Sequence, residues 1–450
     1  MFKDREFFSA LLRIALPITI QNFIASSLNA IGVLMIGQLG ESSVAGVGLA
    51  NQIFFLLNLM LFGITSGSAI FTAQYWGKGD LPAIRKVVVL CLGIALAAGV
   101  LFSVVALLIP YQAMGIYTAD PAVIALGSQY LVIIGFSYIA TAISFTFGAQ
   151  LRATGNVRTP MLVSVVALGL GTGLNYILVF GLFGLPVMGV RGAALGTCLA
   201  RLGECAAMVI VTYLGRLPTA IYPADLRGLT RPFISRFLVT VLPVTANETI
   251  WSLGITIYNM VYARISTEAI AAINITSTIE GMLFVIFTGL SNASAILIGN
   301  KIGAGEEERA FTYARRSLII SVILGLAAGL VLILISDGVV AYYNISKMAG
   351  EYVRGILIVL GCAEWARVSN MMLIVGILRS GGDTRFSLVL DVGTVWLVGI
   401  PMALLGAFVF KLPIYWVVAM VMADDLTKVA GGLYRFLSRK WINNLAHSTP

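Results

Sequence analysis

Histidine, cysteine and charge are all scarce in this chain, and each shortage excludes something. The single histidine, His447, falls in the last four residues and reads as a solvated tail residue. A histidine-based metal site inside the fold is therefore excluded. The four cysteines, Cys91, Cys198, Cys205 and Cys362, lie in apolar runs without metal or redox spacing, which excludes a disulfide scaffold. Each reads as a small hydrophobe. Charged residues make up only 11% of the chain, against about 25% in soluble domains. Hydrophobic residues make up 59% of 450 positions, more than a soluble core of that size can hide. The formal net charge of +9 sits in short loops rather than one patch, so no nucleic-acid surface is expected. The charged start, Met1 to Arg13, and the long apolar run after it do not read as a cleavable leader.

What is present in abundance is apolar sequence in span-sized pieces. A helix needs about 20 apolar residues to cross a bilayer core about 30 Å thick. Twelve such runs occur, at roughly 14–37, 46–75, 87–109, 122–148, 160–183, 190–214, 237–263, 269–298, 317–336, 352–378, 386–409 and 413–435. Lipid offers no partner to free backbone groups, and the alternating segments of a β-barrel are missing, so these runs read as helices. Placing the amino terminus in the cytoplasm puts 21 of the 29 Lys and Arg residues, from Lys3 to Lys440, in inner segments. Five lie outside, and Arg201, Arg367 and Lys428 lie within spans. This bias predicts cytoplasmic termini.

The chain also repeats itself at a spacing near 226 residues. LPITIQN at Pro17 answers LPVTANE at Pro243, GITSGSAIFTAQYWGKG answers GLSNASAILIGNKIGAG, and LRATGNVRT answers LRSGGDTRF. Six spans per half is an even number, so both halves enter the membrane in the same sense. The expected organisation is a six-helix lobe over 1–214, a cytoplasmic linker over 215–236 with three prolines, and a second six-helix lobe over 237–450. The loops GKGD and GAGE lack the spacing of a phosphate loop and read as glycine-ended helices. The two LRxxG segments read as tight cytoplasmic turns anchored by arginines.

Ionisable groups at bilayer depth are costly and mark function or pairing. The acidic ones are Glu204, Glu248, Glu280, Glu364, Asp391, Asp424 and Asp425, with only Glu204 in the first half. A carboxylate-based cation site is thus expected in the second lobe. Glu248 follows Pro243, which frees a backbone carbonyl, and shares a helix face with Trp251, Ile255, Tyr258 and Tyr262. That face suits either an organic cation, through charge and cation–π attraction, or an aromatic packing stripe. Asn22 is the neutral repeat mate of Glu248. Glu280, with Asn274 a turn and a half before it, either lines the same cleft or pairs across helices. Glu364 and Arg367 can pair at i, i+3, with Asn370 one turn later. Arg201 with Glu204, and Asp424 and Asp425 with Lys428, read as internal neutralisation. Asp391 reads either as an ion ligand or as an interface residue. The coupling set is therefore Glu248, Glu280, Glu364, Asn370 and Asp391, and a transient Na⁺ at Glu248 is the only metal expected. Trp251, Tyr258, Tyr262, Asn274, Asn22 and Asn175 are the expected substrate-cavity residues.

With the GLSNASAILIGNKIGAG stretch, the paired LRATGNVRTP and LRSGGDTR turns, LNYILVFG before GVRGAALGT, and the terminal RFLSRKW, the chain resembles the multidrug and toxic compound extrusion family along nearly its whole length. The resemblance implies a V-shaped, all-α membrane fold of two six-helix lobes, within the wider MOP flippase superfamily. It also implies export of amphipathic, often cationic compounds against Na⁺ or H⁺. Where many members carry a first-span acid this chain has Gly32, and their fifth-span polar cluster falls on Gly171 and Asn175. Arg367 stands where many have an aspartate, and their seventh-span acid lies about one turn beyond Glu248.

The expectation is a secondary exporter working as a monomer in the cell membrane, with a small solute, the bilayer and Na⁺ or H⁺ as partners, and with no cofactor or catalytic group. A flippase for lipid-linked oligosaccharides would need a strongly cationic cavity. An intramembrane enzyme would need a catalytic group set, and adjacent Asp424 and Asp425 point to different faces.

Overall fold

The computed structural model describes residues 4–343 and 345–447, so Lys3 of the charge count lies outside the described residues. Among them the chain forms helices and no strands. The long ones are α1 (Arg5–Gly37), α2 (Glu41–Lys78), α3 (Leu81–Leu108), α4 in two pieces (Pro121–Gly135 and Tyr138–Ala153), α5 (Arg158–Phe180) and α6 (Gly189–Leu214). They continue with α7 (Arg231–Ala263), α8 (Thr267–Gly303), α9 (Glu307–Tyr342), α10 (Lys347–Leu378), α11 (Thr384–Val409) and α12 (Ile414–Leu437). Ten described helices, and the bent α4 pair as an eleventh, are long and apolar enough to cross a membrane. The twelfth expected span is α12, which carries Asp424, Asp425 and Lys428.

Most helices outrun the apolar runs that announce them. α1 has 33 residues, about 50 Å at 1.5 Å per residue, so its ends extend past a 30 Å core. Between the halves, 215–236 holds a short helix, Pro223–Arg227, and already contains the first turns of α7.

The helix ends follow local chemistry. Asp80, Asp120, Ser266 and Ser346 accept backbone N–H groups at the starts of α3, α4, α8 and α10. The repeat recurs in backbone geometry: Gly79 and its mate Gly305, and Gly155 and its mate Gly382, all have φ of +79° or +80°. Only glycine adopts that region freely. α4 bends by 53° at its break. At the break the Gly135 carbonyl accepts the Ser103 hydroxyl at 2.8 Å, and the Ile134 carbonyl accepts the Ser137 hydroxyl at 2.7 Å beside the Ser137 backbone N–H. Serine repairs a broken helix in this way where lipid cannot.

Two compact units result. One comprises Ile20–Trp76 and Asp80–Val241; in it α5 packs along α6, and α3 along the second piece of α4. The other comprises the described residues up to Thr19, Gly77–Gly79 and the described residues from Leu242 onward. In that unit α9 lies along α10, and α8 and α12 pack on α10. The first half of α1 belongs to it: Phe7 meets Tyr313 at 4.8 Å between ring centres, and Asp4 pairs with Arg316.

Candidate coupling site

In the carboxy-terminal unit, buried and half-buried charges on five helices pair with one another. Lys428 of α12, with a side chain only 6% exposed, places Nζ 3.0 Å from Asp391 Oδ1 on α11 and 3.2 Å from Asp424 Oδ2. Asp391 Oδ2 accepts Asn247 Nδ2 of α7 at 2.8 Å. The hydroxyl of Tyr258 reaches Asp424 Oδ2 and the Val395 carbonyl, each at 3.4 Å. Val395 opens a π-helical stretch, Val395–Gly399, where the helical ladder is loosened and a carbonyl can turn to a side chain.

A second hub is Arg367 on α10. It pairs with Glu280 of α8 and lies 3.6 Å from Glu364. One turn on, Asn370 donates to the carbonyl and Oδ1 of Asp425, both at 2.9 Å. Because Asp425 adjoins Asp424, the two hubs meet on α12. A third pair joins Glu248 to Arg379 at 2.7 Å, with side chains 12% and 3% exposed.

Several residues sit otherwise than spacing implied. Arg379 is not a surface anchor of a cytoplasmic turn. It is buried, because the π-helical end of α10, Met372–Leu378, brings it against α7 and Glu248. Asp391 is buried and ion-paired rather than at an interface. Asp425 is held by Asn370 instead of Lys428. Of the aromatic stripe, Tyr258 and Tyr262 are buried and stacked with ring centres 6.4 Å apart. Trp251 and Ile255 pack against the same cluster. Asn274 is exposed and Asn22 half-buried. Sequence spacing missed Asn247 and Arg379; only the NE dipeptide after Pro243 hinted that Asn247 was buried beside Glu248.

These three groups thus hold six carboxylates, of which Glu364, Asp391 and Asp424 are buried and Glu248, Glu280 and Asp425 half-buried, and three bases, Arg367, Arg379 and Lys428. Among the described residues, Glu364 Oε2, Asp424 Oδ1, Asn370 Oδ1 and Asn247 Oδ1 are buried without a hydrogen-bond donor. Unpaired buried acceptors in a low-dielectric interior are costly. Arg379 Nε and Nη1 are buried without a hydrogen-bond acceptor as well, and among the described residues no group of three or more acidic side chains is placed to hold a metal ion.

The amino-terminal unit is built differently. It contains a cavity of about 520 Å³ between α1, α2, α4, α5 and α6, lined among others by Asn51, Phe54, Tyr130, Asn175, Arg201 and Glu204. Arg201 Nη1 pairs with Glu204 Oε2 at 3.0 Å, and Ser164 Oγ donates to Glu204 Oε1 at 2.6 Å. Asn175 Nδ2 donates to Thr197 at 3.1 Å. The Arg201 guanidinium lies 5.6 Å over the Phe54 ring.

The sequence pattern that defines the MatE family matches residues 17–177 and again 243–405, starting at the paired prolines of the internal repeat. The chain belongs to the MatE family. Its relatives include a probable multidrug resistance protein NorM of Thermotoga maritima, 24% identical, covering 96% of this chain and 92% of the relative. The multidrug resistance protein PmpM of Pseudomonas aeruginosa is 23% identical, covering 87% and 82%. Among solved structures, a MATE transporter in a bent conformation superposes with a TM-score of 0.87 at 20% identity, covering 96% of both chains. This MatE protein therefore has the twelve-helix fold of those transporters and is a multi-pass membrane protein.

Proposed function

We propose that this MatE protein is a secondary active exporter that exchanges small amphipathic organic compounds for Na⁺ or H⁺ across the cell membrane. It works as a monomer with both termini in the cytoplasm, as its positive-inside bias favours. The two lobes are proposed to span 1–214 and 237–450. The observation that carries the reading is the excess of six buried or half-buried carboxylates over three bases in these connected pairs, with some acceptor oxygens left unpaired. Binding a cation neutralises part of that excess, and a conformation that opens the site to the opposite side gives it up. A ligand drives such a cycle only through different affinities for the two states. The names of the multidrug relatives support an organic substrate.

In this scheme Glu248, Glu280, Glu364, Asn370 and Asp391 form the coupling set. A cation reaching Glu248 must displace Arg379, which makes that pair a switch rather than a resting site. Trp251, Tyr258, Tyr262, Asn274, Asn22 and Asn175 are assigned to the substrate path. The chemistry is transport, not catalysis.

The test is reconstitution in liposomes, with export of a fluorescent amphipathic dye measured under an imposed Na⁺ or H⁺ gradient. Glu248→Gln and Glu364→Gln are expected to lower gradient-driven export roughly 5- to 150-fold, the range of ordinary coupling free energies. Coupled export equal to wild type in both variants refutes the assignment.

A further inference from the structure

We propose that the cavity of the amino-terminal unit receives amphipathic solutes by a carboxylate, with the guanidinium of Arg201 as the receptor. Only the transport consequence rests on the exporter reading; the binding site stands on its own geometry. Arg201 and Glu204 are the only formally charged residues among those lining the cavity, so its net charge is zero. The two are not equally available. Glu204 has one carboxylate oxygen taken by Ser164 and the other by Arg201. Arg201 has five N–H donors, and its one hydrogen bond uses a single nitrogen, Nη1. The open capacity of the site is therefore donor capacity on a cation.

An incoming organic cation meets a guanidinium that repels it and a carboxylate already engaged. An incoming carboxylate meets a planar donor fork suited to two parallel hydrogen bonds. Asn51 and Asn58 add neutral amides to the lining, and Val33, Ile36, Phe54 and Leu168 give the apolar wall that an amphiphile needs. A volume of about 520 Å³ falls in the range of cavities that take drug-sized ligands. Phe54 lies under the guanidinium and holds its plane in place. The ligand class is an anionic or zwitterionic amphiphile, not a simple cation.

The experiment uses a matched pair of probes: a xanthene dye with a free carboxylate, and its methyl ester. Fluorescence anisotropy is read on the detergent-solubilised full chain. Wild type is expected to bind the acid about tenfold or more tightly than the ester, the ratio that one charge-assisted hydrogen bond supports. Arg201→Gln should bring the two affinities within about twofold of each other, and Arg201→Lys should keep part of the preference. Because Arg201→Gln leaves Glu204 unpaired, the double variant Arg201→Gln/Glu204→Gln supplies a neutral pair that keeps the cavity packed. It is expected to lose the preference in the same way. Equal affinities in wild type, or an acid preference that survives in the double variant, overturns the proposal. Added phosphatidylglycerol that displaces the dye from wild type but not from Arg201→Gln supports the anion site with a lipid as its occupant. In liposomes, loss of all dye export with the binding preference intact sinks the exporter reading and leaves this site standing.

Discussion

Lys428→Met removes the hub of the carboxy-terminal network, and the structure fixes how much that should matter. Were Lys428 exposed, its i, i+4 contact with Asp424 would contribute only about 0.3–0.5 kcal/mol. Instead its side chain is 6% exposed and neutralises two carboxylates at 3.0 and 3.2 Å. Methionine fills most of its space, one atom shorter, but leaves Asp391 and Asp424 buried without a cation. Breaking a buried pair from one side costs about 3–5 kcal/mol, because a charge is left uncompensated. The assay is reversible denaturant unfolding in detergent, with the same measurement on Asp391→Asn and on Lys428→Met/Asp391→Asn. The double variant should recover roughly 0.5–3 kcal/mol relative to additivity, as for residues in one network. A loss below about 1 kcal/mol for Lys428→Met, or strictly additive changes, would refute the claim that these groups share a dry site.

Three further outcomes follow from local geometry. Gly77 packs against the backbone of Asn300, so the methyl of Gly77→Ala has no room, and the yield of folded protein after purification should fall sharply. Trp441 is fully buried, its Nε1 donating to the Phe436 carbonyl at 3.1 Å. Trp441→Ala should cost about 3–5 kcal/mol and expose the tail to limited proteolysis. Hydrogen bonds from Lys301 and then Arg309 hold the Glu306 carboxyl below its ordinary value. Its contribution is present above the ordinary carboxylate value and lost as pH falls through the depressed one. Wild type and Glu306→Gln should therefore converge in unfolding midpoint at acidic pH, and the gap at neutral pH should shrink with added salt.

The helices were legible because the bilayer makes a simple demand, about twenty apolar residues at a time, which ten described helices and the bent α4 pair meet, while α12 carries charges within its length. The repeat was legible to the level of backbone angle, since Gly79 and Gly305 match in motif and in φ. Pairing along one helix was legible too: Arg201 with Glu204 and Glu364 with Arg367 follow from i, i+3 spacing. Pairing between helices was not. Glu248 and Arg379 are separated by 131 positions, and no periodicity relates α7 to the end of α10. The π-helical ends that rotate Arg379 inward have no spacing signature. The Tyr258–Tyr262 face reads the same in sequence whether it lines a cavity or packs a core, because helical spacing says which residues share a side and not what lies opposite.

Duplication gave the two units one scaffold, and under the proposed function their diverged charges give them different tasks. Arg201 and Lys428 occupy matching positions in the repeat. Arg201 faces one carboxylate and is balanced by it, whereas Lys428 faces two. A balanced cavity needs no ion to be stable and is free to select a solute. An unbalanced one is stabilised by a cation and so responds to a gradient. The two functions should then separate by mutation. Glu364→Gln is expected to flatten the dependence of export on the imposed gradient while leaving the acid-over-ester preference of dye binding intact. Arg201→Gln is expected to abolish that preference while the gradient dependence of whatever is still exported persists. A thermodynamic cycle between the two variants measures how far each site feels the other, and a ligand that biases one state must change affinity at both. If either substitution removes both properties from a folded protein, solute choice and ion coupling reside in one site and the division by unit is wrong.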